Sequence, residues 1–285
     1  MARFKTKTVV ITGAGSGVGR SLAVGYARRG FKVGIVDIND AGAQETFKLV
    51  EQAGGQGDVF HTDVTDPKAV KGMAEHFFST WNGEGVGLLV NNAGIAVAGA
   101  VGDVPLEDWK AVIDVNFWGM VYGCHEFIPR MKAQGGGHIL NIASAAGILS
   151  LANMAPYNVG KAAIISLSET LKVELAPDNI GVTVACPMFF NTNLLTDMKS
   201  TTPWIGEIAA ISFKNGLSSD IVAERLIKAV EKGKLYEIPM LGGKLFWLNK
   251  RLLPGLFYSL PAILHKHGLL KPLYYKLAQW GALSH

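Results

Sequence analysis

Six short apolar runs, each followed by a longer stretch of helical periodicity, limit the folds open to this chain more than any other feature. Residues 8–12, 32–37, 57–61, 87–91, 138–142 and 182–186 read as strands. Most are continuous rather than alternating apolar runs, the pattern of strands covered on both faces. Helical patterns lie at 17–29, 67–81, 105–132 and 155–176, with a further helix expected over 218–232 and a short strand at 235–237. Strand–helix–strand alternation predicts an α/β fold, a doubly wound parallel sheet of Rossmann type in three α/β/α layers. Hydrophobic residues at 49% against 18% charged supply the core such layers need and exclude disorder. No internal repeat or low-complexity segment interrupts the pattern.

The first run ends in Thr12-Gly13-Ala14-Gly15-Ser16-Gly17-Val18-Gly19, and a helical pattern opens there. Glycines at a strand–helix junction allow a tight turn and let a pyrophosphate approach the backbone at a helix N-terminus. Asp37 closes the second run, 18 residues after Gly19. A carboxylate at this place can bond both hydroxyls of an adenosine ribose and repels a 2′-phosphate. Ile38 follows it, and Ser16 rather than a basic residue precedes Gly17, so NAD is favoured over NADP. The other reading of Asp37 is a turn former ahead of Asn39 and Asp40.

Tyr157 and Lys161 are four residues apart, one turn apart on one helix face. An ammonium near a phenol stabilises the phenolate, so the tyrosine is expected to exchange a proton nearer neutrality than its ordinary value of about 10. That suits a general acid/base for an alcohol or ketone, and Ser144 can hydrogen-bond the same oxygen. The competing reading is a solvent-facing tyrosine beside a surface lysine.

Taken together, these segments resemble the classical short-chain dehydrogenase/reductase family over residues 5–240. Stretch 12–19 is similar to its Thr-Gly-x-x-x-Gly-x-Gly motif, which implies cofactor contacts at Gly13, Ser16, Gly17, Val18 and Gly19. Asp63 and Val64 fall where the family meets adenine. Asn91-Asn92-Ala93-Gly94 matches its Asn-Asn-Ala-Gly motif, placing Asn91, Ala93 and Gly94 beneath the cofactor. The resemblance implies a catalytic set of Asn116, Ser144, Tyr157 and Lys161, with Tyr157 and Lys161 also touching the cofactor and Asn116 positioning Lys161 through a water. Pro187 and Thr192 match the segment that reaches the nicotinamide carboxamide, but Met188 stands where the family usually has Gly. The implied reaction is metal-free hydride transfer between NAD(P) and a CH–OH group. A homodimer or homotetramer through the helices at 105–132 and 155–176 is also implied. The alternative is a catalytically silent dinucleotide-binding sensor or scaffold, against which the intact catalytic set argues.

Residues 95–97, 148–151, 154 and 188–190, with Trp204 on a lid, are expected to line the substrate pocket. They are apolar and hold no Arg or Lys for a carboxylate or phosphate, which points to a hydrophobic secondary alcohol or ketone. Trp109 and Trp118 are expected in the core or at a subunit contact. His61, His138, His265 and His267 show no metal-ligand pattern, and Cys124 and Cys186 read as buried free thiols of a reducing compartment. The first residues run straight into a strand pattern, so no signal peptide is expected and the location expected is cytoplasmic.

Chain character changes after Pro239, the expected boundary between a catalytic domain (1–239) and a helical, apolar-basic extension (240–285). Six of the chain's 27 basic residues and none of its 23 acidic ones lie in the extension, leaving 21 against 23 before it. No nucleic-acid module is present to use this basicity. The longest uncharged stretch, 252–264, has 13 residues and contains Pro254 and Pro261, too short and broken for a membrane span. Two readings stay open: a segment lying peripherally on a membrane surface, or a cover for the site mouth or a neighbouring subunit.

Overall fold

The apolar runs assemble into one seven-stranded parallel sheet in the computed structural model, which describes residues 4–192, 194 and 198–282. Residues 1–3 and 283–285, the outermost parts of the expected start and extension, lie outside the described residues. The strands are β1 (Thr8–Thr12), β2 (Lys32–Asp37), β3 (Gln56–His61), β4 (Leu88–Asn91), β6 (Gly137–Ile142), β7 (Ile180–Ala185) and β9 (Tyr236–Glu237). Their order is β3-β2-β1-β4-β6-β7-β9. Every residue of β1, β4 and β6 is buried, as continuous apolar runs require. Edge strand β3 is only half-buried, and it is the most polar of the long strands.

Helices cover both faces: α1 (Gly17–Ala27), α2 (Asp40–Gln52), α3 (Pro67–Gly83), α4 (Leu106–Ile113), α5 (Gly119–Gln134), α7 (Ala155–Glu174) and α9 (Ser219–Glu231). Asn39, Asp66 and Ser218 cap α2, α3 and α9 by accepting from backbone N–H groups, which explains where these helices begin. The helix expected over 105–132 is not continuous. A π-helical turn at Asp114–Trp118 separates α4 from α5. Smaller elements surround the sheet's C-terminal edge: α6 (Ala145–Leu149), α8 (Pro203–Lys214), and a two-stranded parallel ribbon of β5 (Val97–Ala98) and β8 (Lys199–Ser200).

After β9 come α10 (Leu241–Leu252), α11 (Pro254–Lys266) and α12 (Leu270–Gln279). They begin at the expected boundary but pack back on the same core, to which Met240 and Ala278 contribute fully buried side chains. Between β1 and β4 the strand order reverses, because β2 and β3 extend one way and β6, β7 and β9 the other. Crossovers leave in opposite directions at such a switch point, opening a crevice beyond the strand ends.

Candidate active site

A cleft of about 580 Å³ occupies that crevice. The loop after β1 forms one wall, with Gly13 at φ +64° and Gly17 at φ +53°, both in the left-handed region. Asp37, at the end of β2, holds this loop: Oδ2 accepts from Gly15 N at 2.7 Å and Oδ1 from Asn39 N at 2.9 Å. The carboxylate thus closes the turn into α2, as the turn-former reading expects, and also lines the cleft. Arg20 of α1 is engaged by Gly15 O, Thr46 Oγ1 and the Glu45 carboxylate at 2.7 Å.

Ser16, Gly17, Val18, Gly19, Asp63, Val64, Ala93 and Gly94 all line the cleft. Asp63 Oδ1 accepts from both the backbone and hydroxyl of Thr65, fixing the loop after β3. Asn91 does not join them. Its side chain lies in the core, where Nδ2 donates to Asn141 Oδ1 at 2.9 Å. The neighbouring Asn92 does the work at the cleft: Nδ2 donates to Thr12 O and Gly13 O, each at 2.9 Å, and clamps the loop to β4. Within a motif of two adjacent asparagines, only strand pleat decides which side chain faces the loop. Thr62 was not singled out by the sequence either. It lines the cleft with a buried Oγ1 that has no hydrogen-bond partner among the described residues.

At the other end, β6 and α7 bring the reactive set together. Ser144 lies two residues beyond β6 and caps α6, its Oγ accepting from Ala146 N at 3.1 Å. Tyr157 and Lys161 project from the first turns of α7, and Ser144 Oγ donates to Pro187 O at 3.4 Å. Lys161 Nζ donates to Ile142 O at 2.9 Å and lies 5.7 Å from the Tyr157 ring centre. Asn116 is held by the π-helical turn, where its amide donates to Ile95 O (2.9 Å) and accepts from Ile95 N (2.8 Å). A methyl group added at Gly94 would lie 3.1 Å from Asn116 Oδ1 and 3.3 Å from Lys161 Nζ. Glycine there lets the two side chains close around the chain. Single π turns often mark functional sites, and this one aims Asn116 at the strand end.

Burial dominates the electrostatics. It pushes the Tyr157 phenol up to about 12, against the downward pull of the Ser144 hydroxyl, and pushes Lys161 down to about 8. The neutral-range phenolate expected from Tyr–Lys spacing is thus not what the buried pair shows. The lysine stands over the ring and is bonded to a carbonyl, while the apolar surroundings disfavour both charges.

Pro187, Met188 and Thr192 reach the cleft beyond β7, and Ala96, Leu149, Leu151, Met154 and Phe189 complete an apolar half. Ala209 and Phe213 of α8 form its outer wall, whereas Trp204 packs behind them against Tyr274 of α12. Trp109 is half-buried and Trp118 is exposed, stacked on Tyr122. His61 pairs with Asp40 at 2.8 Å, and buried His138 bonds Thr183. Both cysteines are free and buried.

A phosphate loop at a switch point, an acidic residue at the end of β2 and a partnerless buried hydroxyl form a cradle that fits a dinucleotide. The fold and site thus define a dinucleotide-binding α/β protein. The chain belongs to the short chain dehydrogenase family, a family that binds nicotinamide dinucleotides; the family's sequence model matches residues 7–203. It is 35% identical over 242 residues to a probable oxidoreductase EphD of Mycobacterium tuberculosis, covering 81% of this chain and 40% of that protein. This chain therefore spans well under half the length of that relative. A cyclohexanol dehydrogenase of an Acinetobacter species is 32% identical over 198 residues, covering 69% of this chain and 78% of that protein. Among solved structures, a short chain dehydrogenase/reductase from Burkholderia phymatum in complex with NAD matches with a TM-score of 0.81 at 29% identity, over 88% of this chain and 96% of that one.

Proposed function

We propose that this protein interconverts a hydrophobic secondary alcohol and its ketone with a nicotinamide cofactor, NAD rather than NADP. The observation that carries the reading is the meeting of Ser144, Tyr157 and Lys161 on the floor of the cleft whose far end holds the phosphate loop and Asp37. The Gly15–Gly17 turn and the α1 N-terminus would hold the pyrophosphate, Asp37 the adenosine ribose, and Lys161 and Thr192 the nicotinamide half. When bound, the cofactor supplies a hydride donor or acceptor for the carbinol carbon.

The chain's own residues handle the proton and the oxygen. In ketone reduction, Tyr157 gives its phenolic proton to the carbonyl oxygen while Ser144 donates a hydrogen bond to the same atom, where negative charge develops. In alcohol oxidation Tyr157 takes the hydroxyl proton. Burial holds the phenol up at about 12, so Tyr157 carries its proton at neutral pH. Lys161, brought to about 8, can hold or release a proton beside it. Asn116 fixes the Ile95 backbone at the boundary between the cofactor and substrate halves.

Apart from Asp37, Asp63 and Lys161, no charged side chain among the described residues lines the cleft, and its substrate half is made of Ala, Leu, Met and Phe. An uncharged apolar substrate fits that lining. The relative named for cyclohexanol, a cyclic secondary alcohol, supports the same class. Nothing in the site favours a silent sensor.

Tyr157→Phe tests the reading. With cyclohexanone and longer-chain ketones, turnover followed by NADH absorbance should fall by roughly a hundred- to ten-thousandfold, while NADH binding followed by fluorescence stays unchanged. A variant that kept most of its turnover would overturn the mechanism.

A further inference from the structure

The outer surfaces of α10 and α11 carry two apolar stripes that stand exposed among the described residues. On α10, Leu241, Leu245, Leu248 and Leu252 follow one another at four-, three- and four-residue steps, and each is more than half exposed. That spacing draws one continuous line along a helix. On α11, Leu256, Leu260 and Ile263 repeat the pattern, again each more than half exposed, whereas Phe257, Pro261 and Leu264 on the inner side are half-buried. Leu253 joins the stripes at the bend, and no residue of α11 is fully buried.

The charges that α10, α11 and α12 themselves carry have one sign. Lys244, Arg251, Lys266, Lys271 and Lys276 are exposed, and residues 240–285 contain no Asp or Glu. Arg251 stacks over Trp247 at 4.6 Å, and Trp280 is largely exposed. Indole and guanidinium groups beside aliphatic side chains suit the headgroup level of a bilayer. Neither helix can cross one: α11 has 13 residues, and no helix among the described residues is long and apolar enough.

We propose that α10 and α11 dock this protein on the surface of an anionic lipid bilayer, with the leucine stripes entering the acyl boundary and the cations on the headgroups. A lipid surface is chosen over a second copy on charge. A two-fold contact would set the same patch against itself, and helices carrying several cations and no anion of their own would face those cations. An anionic leaflet supplies the opposite charge and an apolar layer together.

The stripes also sit beside the cleft mouth. On one side Lys250 of α10 donates to Ile148 O in α6, and Gly243 packs on Met188 of the cleft wall. On the other, α12 packs on α8 through Tyr274 against Trp204 and through Asn215 Nδ2 to Ala278 O at 3.5 Å. Helix α11 joins the two supports. If the oxidoreductase reading holds, docking on this face presents the apolar half of the cleft toward the bilayer, and its substrate class is alcohols or ketones that partition into lipid.

The test is flotation of the full chain with vesicles of phosphatidylcholine alone or mixed with phosphatidylglycerol, beside a chain carrying Leu248→Glu, Leu256→Glu and Leu260→Glu. These leucines are exposed, so the variant should keep its melting temperature and its NADH fluorescence. Expected is flotation with the mixed vesicles, weaker flotation in high salt or with phosphatidylcholine alone, and loss in the variant, each leucine withdrawn from lipid weakening binding by about tenfold. Absence from the mixed-vesicle fraction, or flotation that survives the three substitutions, would overturn the proposal. So would a dimer in sedimentation that the substitutions dissolve without any lipid binding, which would assign the face to a second copy. Because flotation does not depend on turnover, failure of this proposal and failure of the catalytic reading are separate results.

Discussion

At Tyr157 and Lys161, burial acts on an acid and a base whose ionised forms it disfavours equally, and the pH dependence follows from that. Lys161 falls from 10.5 to about 8, so below pH 8 the folded protein holds a buried ammonium at a disadvantage. Between pH 8 and 10.5 the unfolded chain binds more protons, and stability rises with pH. The thiols of Cys124 and Cys186, raised from 9.0 to about 12, act in the opposite sense from pH 9 upward, and Tyr157 joins them above pH 10. The clean window is therefore pH 8 to 9. Over that unit, urea unfolding should show wild type gaining about 1 kcal/mol relative to Lys161→Met, a gain absent between pH 6 and 7. Asp37 allows a second prediction at this scale. Replacing it with Ser removes the carboxylate on which the proposed preference for NAD rests and the acceptor for Gly15 N. The Michaelis constant for NAD should rise about ten- to a hundredfold while that for NADP falls, and kcat with a saturating alcohol should change little. An unchanged ratio of the two constants would show that Asp37 serves only the turn.

Among the elements, those with unbroken hydrophobic periodicity were legible, and those made by contacts distant in sequence were not. Runs 8–12 and 32–37 match β1 and β2, because a buried parallel strand writes its whole length in apolar residues. Tyr157 and Lys161 were legible because helix geometry alone puts them together. The π-helical turn left no such trace: Asp114–Trp118 keeps helical character, and its extra residue is stabilised by Asn116 bonding to Ile95, 21 positions away. Asn92 was overlooked beside Asn91 for a related reason, since the partner that distinguishes them is the Gly13 loop. Met188 is a third case. It departs from the family's usual glycine, yet α10 leaves space for it by presenting Gly243, where an added Cβ would lie 3.1 Å from Met188 Sδ and 2.8 Å from Ile238 Cγ2. Gly243→Val should force α10 off that wall and lower stability by about 1–3 kcal/mol, read from the urea midpoint. Partial recovery is expected in the Gly243→Val, Met188→Gly double variant, because the second change removes one of the two colliding groups.

For the whole molecule, the question is whether residues 240–285 are an attachment or part of the fold, and burial divides them. Leu270 and Ala278 of α12 are fully buried, and Tyr274 meets Trp204, so this last helix is a buttress behind α8. Helix α8 in turn supplies Ala209 and Phe213 to the cleft wall. The stripes on α10 and α11 face outward and contribute nothing to that core. Ending the chain after Gly268 should therefore weaken folding by about 2–4 kcal/mol, the burial of one leucine and part of one tyrosine, whereas glutamates on the outer stripes should leave folding within about 0.5 kcal/mol. The shortened chain should also bind ketone more weakly, because α8 loses its support, while NADH affinity holds because the dinucleotide end rests on β1, β2 and α1. Urea unfolding paired with separate Michaelis constants for ketone and NADH reads both effects. Equal loss of both affinities would mean that α12 supports the entire sheet edge rather than the substrate wall.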